Sequence, residues 1–344
     1  MRTKAPVHVG ILINDGVVLL EAAAVAEALR FANRVADRRR EAVPFLLTFV
    51  HAGRRAVSSL SGLHVLPGNR SGRKLDVLVV PGFDFSGRRQ LPARLNALSD
   101  SIATIRREAK HASIWSICSG AFLTAEAGLL DGRCATTTWW LGGLFANRYP
   151  TVKLKLDQAI VEDGALITSG AVAASFQVAV RLIDRMASPE LARTVARLML
   201  LDTGPTLQSP FMQTSNAGVY SGILEDLRKS GTDELIVKAC TLMAKRMHER
   251  FRIETLAERL HVTSRTLLRR FRRATGVAPL AYLQSVRLER ARALLETTGI
   301  PIKQVMERVG YVDESAFRRL FRREVGISMT DYRRRFGFRA ASKR

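Results

Sequence analysis

The sequence predicts an α/β domain, with a mostly parallel sheet and helices on both faces, followed by an all-α domain with two helix-turn-helix motifs. Over about the first 190 residues, short apolar runs alternate with amphipathic or alanine-rich stretches. This alternation is typical of a parallel sheet covered on both sides. The last third of the chain instead contains one helical pattern twice.

Five compact apolar runs are the predicted strands, at residues 7–13, 45–52, 76–82, 112–117 and 165–170. The predicted helices of this part cover residues 20–36, 91–110, 121–130, 174–186 and 191–201. Ligands of such sheets bind at the carboxyl ends of the strands. Residues that directly follow a predicted strand are therefore the first candidates for a site.

The composition is that of a packed globular protein, with 47% hydrophobic and 25% charged residues in a chain of 344. No apolar run reaches the roughly 18–20 residues of a membrane helix, and no signal peptide is expected. The three cysteines are widely spaced and odd in number, which argues against a disulfide or zinc framework and predicts a reducing compartment.

The formal net charge of +23 indicates a polyanionic partner, although a generally basic proteome is an alternative. Residues 233–344 hold 26 Lys and Arg against 12 Asp and Glu, whereas residues 1–232 hold 28 against 19. The excess positive charge per residue is thus about three times higher in the C-terminal part. We expect that part to contact the polyanion.

The C-terminal part contains two similar modules. Phe271 and Phe321, Gly276 and Gly326, and Tyr282 and Tyr332 are each separated by 50 residues. Each module has the pattern of a short helix, a tight turn and a longer helix.

The turns and caps of the two modules can be assigned from residue types. Thr263 or Ser264 is predicted to cap the longer helix of the first module, and Gly276 to end it. Gly310 permits the turn of the second module, and Asp313 caps its longer helix. Residues 279–295 are predicted to form a long, amphipathic connecting helix, and another helix is expected to start near residue 233.

A short helix and turn before a basic helix is the helix-turn-helix geometry, in which the second helix enters the major groove of DNA. The alternative is a solvated basic face. The candidate DNA-contacting residues lie on the outer faces of the two longer helices: Ser264, Arg265, Arg269, Arg272, Arg273, Ser315, Arg318, Arg319 and Arg322.

Residues 235–338 resemble the AraC/XylS family of transcription regulators, most specifically in "ERVGYVDESAFRRLFRREVGISMTDYRRRF". The resemblance implies two helix-turn-helix units, joined by the long helix, that enter successive major grooves. It places Arg265, Arg269, Ser315 and Arg319 at base-reading positions. Met329 stands where the family usually has proline, which predicts a looser start of the last helix.

The stretch "WSICSGAF" at 115–122 has the pattern of a strand-to-helix elbow. Cys118 ends an apolar run and is followed by Ser119 and Gly120. Such an elbow exposes a cysteine above the sheet, and the following helix N-terminus is expected to lower its pKa. The alternative is a small apolar side chain that only packs there.

The elbow, together with residues 134–140, 167–180 and 207–211, resembles the PfpI/class-I glutamine-amidotransferase-like superfamily and its GlxA-type branch. Enzymes of this superfamily place a histidine directly after the cysteine or about twenty residues later. Here Ser119 and Thr138 occupy these positions, and neither hydroxyl is a general base near neutral pH. The resemblance therefore implies a pocket without catalytic residues, lined by Glu21, Cys118, Ser119, Thr138 and Trp139.

For several of these residues a purely structural role stays open. Glu21 either hydrogen-bonds the thiol or caps the first helix, and Trp139 and Trp140 either line the pocket or pack in the core or an interface. His51 and His64 are the remaining candidates for a base.

Together these features predict a ligand-sensing domain at 1–202, a linker at 203–232 and a DNA-binding domain at 233–344. We expect a cytoplasmic, nucleoid-associated transcription regulator, more an activator than a repressor. It would bind double-stranded DNA, form a homodimer, respond to a small, nitrogen-containing effector and, as an activator, contact RNA polymerase. No cofactor, metal or membrane partner is expected.

Two other functions compete with a regulator. One is a cysteine hydrolase, amidase or deglycase with an accessory DNA-binding domain. The other is an architectural protein that binds nucleic acid through charge alone.

Overall fold

The computed structural model describes residues 5–51, 56–66, 73–85, 89–201, 208, 210, 233–311 and 313–337. The chain divides into two compact units, Met1–Gln208 and Ser209–Arg344. Of the predicted linker at 203–232, only Gln208 and Pro210 lie among the described residues.

The first unit is built on a six-stranded sheet of order β2-β1-β5-β6-β10-β9. Two short pairs, β3 with β4 and β7 with β8, lie outside it. The strands are β1 (Val7–Leu12), β2 (Phe45–Val50), β3 (Val57–Ser58), β4 (His64–Val65), β5 (Val77–Val80), β6 (Ser113–Ile117), β7 (Cys134–Ala135), β8 (Lys153–Leu154), β9 (Ile160–Asp163) and β10 (Leu166–Ser169).

The five predicted runs form the five parallel strands of this sheet, so the predicted fold class is confirmed. In register, Val7 pairs with Phe45 and Leu166 with Ile114. The sixth strand, β9, was not predicted, and it pairs antiparallel with β10 at the sheet edge. Its sequence, "IVED", has one fully buried side chain, Val161, and carries too little apolar signal to be recognised.

Helices cover both faces of the sheet. Helices α1, α6 and α7 enclose one apolar core, and α2 to α5 enclose the other. These helices are α1 (Leu19–Arg38), α2 (Leu91–Ala97), α3 (Ser99–Glu108), α4 (Gly120–Glu126), α5 (Gly142–Arg148), α6 (Ala174–Met186) and α7 (Pro189–Leu198), with a 3₁₀ turn at Trp139–Leu141.

The predicted helix at 91–110 is broken in two. Leu98 has non-helical backbone angles and separates α2 from α3. The polar run Ser99-Asp100-Ser101 follows it, and such residues compete with helical hydrogen bonds. Leu98 is itself buried, so the side chain at this break still packs in the apolar core.

The second unit is entirely helical in its described part. Two cores form around the two halves of its longest helix, α11. The helices are α8 (Glu234–Lys245), α9 (Ile253–Arg259), α10 (Ser264–Thr275), α11 (Pro279–Thr297), α12 (Ile302–Arg308), α13 (Glu314–Val325) and α14 (Met329–Phe336). Among the described residues of both units, no helix combines the length and apolar character needed to cross a membrane.

Both predicted helix-turn-helix modules are present, as α9–α10 and α12–α13. The cap of α10 is Thr263 rather than Ser264, since its hydroxyl accepts the Thr266 N–H at 3.2 Å. Asp313 caps α13 by accepting the Ala316 N–H at 2.8 Å. Gly276 ends α10 in the left-handed conformation.

The connecting helix is not amphipathic, contrary to the prediction. Its buried residues include Tyr282, Leu283 and Leu288, which point in different directions around the axis. Tyr282 and Leu283 belong to the core of the first module, and Leu288 belongs to that of the second. The helix is buried on several faces because it packs against both modules.

The two modules also touch each other. Gly310 has a φ of +79°, and a Cβ at this position would lie 2.6 Å from both the Met247 carbonyl oxygen and the His248 Cα. From α11, the buried Arg287 donates to the carbonyls of Met247 (2.7 Å) and Glu249 (2.8 Å). Its guanidinium also lies over the Tyr311 ring, 5.0 Å from the centroid. These contacts fix the two modules relative to each other.

Substituting Gly310 tests this junction. Gly276 is a matched control, since its φ is +76° but nothing lies within 4 Å of its added Cβ. We expect Gly276→Ala to cost only the left-handed backbone strain, about 1–2 kcal/mol. Gly310→Ala should cost a further ~1–3 kcal/mol, because the methyl group meets backbone that cannot move aside. Urea unfolding of the second unit in the full chain measures both, and equal costs would contradict the tight junction.

Candidate ligand pocket and nucleic-acid interface

Cys118 lies at the elbow between β6 and α4. Its φ of +57° is in the left-handed region that few non-glycine residues adopt. The Cys118 N–H donates to the Ser169 carbonyl at the end of β10 (3.0 Å). The Ser119 hydroxyl accepts the Phe83 N–H (2.8 Å) and donates to the Phe83 carbonyl (2.9 Å). Contacts to the two neighbouring strand ends therefore hold the strained elbow.

Glu21, near the start of α1, lies against the elbow and is fully buried. Its Oε2 accepts the Gly82 N–H at 2.6 Å, and its carboxyl group hydrogen-bonds the Cys118 thiol. Burial raises the pKa of Glu21 to about 7, although the Gly82 N–H and the thiol both lower it. Of the two roles left open by the sequence, the structure thus shows Glu21 against the thiol.

The predicted lowering of the Cys118 pKa is wrong. Burial, and next the charge of Glu21, raise the pKa of Cys118 well above its usual value. The backbone and hydroxyl of Ser119 act in the opposite direction but are weaker. The thiol is buried rather than exposed above the sheet, at 6% exposure, and α4 is only seven residues long. Desolvation therefore outweighs the helix N-terminus.

No histidine is among the groups that act on the thiol. His64 lies on β4, where its Nδ1 is 3.2 Å from the Ser58 hydroxyl. Thr138 is fully buried, and the neighbouring Thr137 donates its hydroxyl to the Cys118 carbonyl at 2.9 Å. The position expected for the histidine is thus next to the elbow and carries a hydroxyl.

Several buried polar atoms near the strand ends lack a hydrogen-bond partner among the described residues. They are Asn14 Oδ1 and Nδ2, Glu21 Oε1, Thr138 Oγ1 and Ser169 Oγ. Leaving such atoms unpaired costs roughly 1–3 kcal/mol each, so this edge of the sheet suits a polar ligand. Asn14 and Ser169 were missed from the sequence, although each lies at or just after the end of a predicted strand.

Trp139 begins the 3₁₀ turn that directly follows Thr138. Its ring packs edge-on against Trp140, with 5.6 Å between centroids. Trp139 is half-buried and Trp140 is exposed. Glu21, Cys118 and Ser119 are thus in contact and Thr138 is adjacent through Thr137, while a place for Trp139 in the pocket stays a prediction.

The second unit presents the candidate DNA-contacting residues on the outer sides of α10 and α13. Leu267 and Phe271 of α10, like Phe317 and Phe321 of α13, are fully buried and point the other way. Ser264 is half-buried. The exposed candidates are Arg265, Arg269, Arg272, Arg273, Ser315, Arg318, Arg319 and Arg322.

The arginines of these helices differ in their partners. Arg270 is bound to Asp233 (2.6 Å) and faces the start of α8. Arg318 pairs with Glu314 at 3.8 Å. Arg269 and Arg319 make no ion pair with any residue in the described part of the chain. Their guanidinium groups carry the N–H donors that arginine uses to hydrogen-bond the O6 and N7 atoms of guanine.

The start of the last helix is not loosened by Met329. The Ser328 hydroxyl accepts the Asp331 N–H (3.1 Å) and donates to the Asp331 carboxylate (2.6 Å). Met329 itself is buried in the core of the second module. A side-chain cap and apolar packing replace the usual proline.

Comparison with known proteins agrees with this division into two parts. Residues 7–185 match the DJ-1/PfpI family, and residues 256–335 match a helix-turn-helix domain. The HTH-type transcriptional regulator GbdR of Pseudomonas aeruginosa is 22% identical over 335 residues, which cover 96% of this chain and 85% of GbdR. The regulator CdhR of the same species is 30% identical over 217 residues, 63% of this chain and 61% of CdhR.

Among solved structures, a THiJ/PfpI family protein from Pseudomonas syringae superposes with a TM-score of 0.50 at 20% identity. The match covers 66% of this chain and 88% of that protein, and it supports the fold alone. The chain belongs to the DJ-1/PfpI family, and a helix-turn-helix domain of the AraC type follows its family domain.

Proposed function

We propose that this protein is a sequence-specific, DNA-binding transcription regulator whose first unit binds a small effector at the Cys118 elbow. The observation that carries the proposal is the pair of helix-turn-helix modules, fixed to each other by Arg287 and Gly310, with arginine-rich outer faces. The names of GbdR and CdhR as transcriptional regulators support it.

On DNA, α10 and α13 would each enter a major groove. Arg265 and Arg269, one helical turn apart on α10, would read base edges, as would Ser315 and Arg319 on α13. The remaining exposed arginines and Ser264 would contact phosphates, which position the protein without reading sequence. The net charge of +14 over residues 233–344 suits this role.

The first unit is proposed to bind rather than to catalyse. A cysteine nucleophile requires a thiolate and a base, and here burial and Glu21 both disfavour the thiolate. Because two buried acids in contact resist carrying two negative charges, the Cys118 thiol keeps its proton at neutral pH. A hydrolase or deglycase would need the opposite arrangement.

The effector is proposed to be a small, polar, nitrogen-containing molecule. The unpaired groups of Asn14, Thr138 and Ser169, which lie near the ends of strands in the same unit, could bind its donors and acceptors. We further propose a cytoplasmic homodimer that activates transcription through RNA polymerase. These assignments rest on the family, since two such relatives, RclR and RhaR, are named activators.

Selection of duplexes from a random library by the full chain tests the DNA-binding function directly. We expect an enriched motif, and Arg269→Ala should lower affinity for it by ~1–3 kcal/mol and relax preference at one position. Arg273→Ala is the matched control, since loss of a phosphate contact should weaken all duplexes alike and reduce the salt slope by about 1. An unchanged preference after Arg269→Ala would refute base reading by this residue.

The pH dependence of Cys118 alkylation tests the absence of an activated thiol. In the wild-type chain we expect an apparent pKa above that of a free cysteine. Glu21→Gln should lower the pKa of Cys118, and so speed alkylation at pH 8, because it removes the charge that opposes the thiolate. No Cys118-dependent turnover of amide or ester substrates is expected. A pKa below that of free cysteine, or turnover lost in Cys118→Ala, would favour the hydrolase.

A further inference from the structure

The last residue of the first unit, Gln208, is inserted into that unit as a buried side chain with 5% exposure. Its backbone N–H donates to the Asp157 carbonyl at 3.0 Å. Its carboxamide fills space beside Gly170, where an added Cβ would lie 2.3 Å from the Gln208 Cδ and Oε1. Gly170 directly follows β10, so Gln208 packs against the strand end that also holds the elbow.

The Gln208 amide nitrogen lies within hydrogen-bonding distance of four oxygens. Two belong to the loop after β7, the Thr136 hydroxyl (3.1 Å) and the Thr137 carbonyl (3.0 Å). Two belong to the segment before β9, the carbonyls of Leu156 (3.3 Å) and Gln158 (3.0 Å). An amide has only two hydrogens, so Gln208 cannot fully satisfy all four oxygens at once. Its two hydrogens can therefore be distributed among these acceptors in more than one way.

The loop that Gln208 contacts is also the loop that contacts the elbow. The Thr137 carbonyl accepts from Gln208, and the Thr137 hydroxyl donates to the Cys118 carbonyl. Thr138, whose hydroxyl has no partner among the described residues, is the next residue. Ser169, which accepts the Cys118 N–H, precedes Gly170. A ligand that displaced either Cys118 or Thr138 would therefore change the acceptors available to Gln208.

Beyond Gln208 the chain continues through residues 209–232 to Asp233, where the DNA-binding unit begins its first described helix. We propose that Gln208 is a positioning residue that couples the state of the Cys118 elbow to the segment leading to the DNA-binding unit. This inference rests on the proposed regulatory function and adds the route by which the effector site would act on DNA binding.

The coupling can be measured from the DNA side, because a duplex that shifts the equilibrium between two states of the elbow also shifts how often the Cys118 thiol is accessible. The probe is iodoacetamide, and the readout is the alkylation rate of Cys118 in the full chain, resolved from Cys134 and Cys240 by peptide mass spectrometry. Rates are compared without DNA, with a saturating selected duplex and with a random duplex. We expect the selected duplex to change the wild-type rate about fivefold or more.

Two variants remove the proposed coupling, one by changing Gln208 itself and the other by changing Gly170, which packs against its carboxamide. Gln208→Met keeps the volume but removes the amide donors, and Gly170→Ala displaces the carboxamide without changing Gln208. Both should bind the selected duplex, yet show the same Cys118 rate with and without it. Gln158→Met is the matched control, since that side chain is exposed, and it should keep the wild-type response.

The outcomes separate the inference from the proposed function. A full duplex-dependent change in Gln208→Met and Gly170→Ala would overturn the role of Gln208, as would an unchanged rate in a wild-type chain that binds the selected duplex. A wild-type chain that prefers no duplex would overturn the proposed function itself. Circular dichroism verifies that each variant is folded. If one of Gln208→Met and Gly170→Ala does not fold, the other is sufficient for the test.

Discussion

The buried guanidinium of Arg287 is the interaction on which the arrangement of the second unit depends. Burying a charge is costly unless its donors are satisfied, and here two backbone carbonyls and the Tyr311 ring receive it. Arg287 extends from the helix that both modules share, and it contacts the segment that leads into the first module and the turn of the second. Removing it would leave the carbonyls of Met247 and Glu249 unpaired and loosen the junction.

Because the contacts of Arg287 hold the two modules together, the basic side chains on α10 and α13 lie in a fixed arrangement. Charge alone would attract any polyanion, whereas two fixed helices can contact only a duplex whose grooves are correctly spaced. The close packing of Gly310 on the backbone of the preceding module supports the same fixed spacing. In the proposed function, specificity would depend on buried contacts between the modules as well as on the exposed arginines.

The first unit shows how an elbow can keep its backbone geometry without an activated thiol. The left-handed Cys118, the contact to Ser169 and the nearby carboxylate are all present. With Thr138 at the expected histidine position, only the weaker effect of Ser119 is seen to favour a thiolate among the described residues, and it does not outweigh the cost of burial. The proposed effector would give the unpaired polar atoms near the strand ends their hydrogen-bond partners.

Local patterns predicted most of the fold. Short apolar runs identified the five parallel strands, and residue types identified caps such as Thr263 and Asp313. Features set by tertiary contacts were missed or wrong: the edge strand β9, the break at Leu98 and the burial of α11 on several faces. The pKa of Cys118 was also predicted wrongly. It is set mainly by the burial of the thiol, which cannot be deduced from the presence of a helix after the cysteine.

Contacts between residues that are far apart in the sequence could not be predicted either. Gln208 lies in a segment predicted as linker, and only the folded chain shows its amide against Thr136 and Thr137. Likewise, Asn14 and Ser169 could be placed at strand ends from the sequence, but their lack of partners depends on packing. The charge pattern was sufficient to indicate the DNA-binding unit, while the unpaired polar atoms near the elbow required the structure.

The fixed spacing of the two modules can be tested by changing the spacing of the DNA site. Once a duplex has been selected by the full chain, five base pairs are inserted between its two contacted segments and the affinity is measured. Five base pairs rotate one segment by about half a turn, so we expect the affinity to fall close to that for a random duplex. An affinity that is unchanged by the insertion would show that the modules move independently and that their spacing is not fixed.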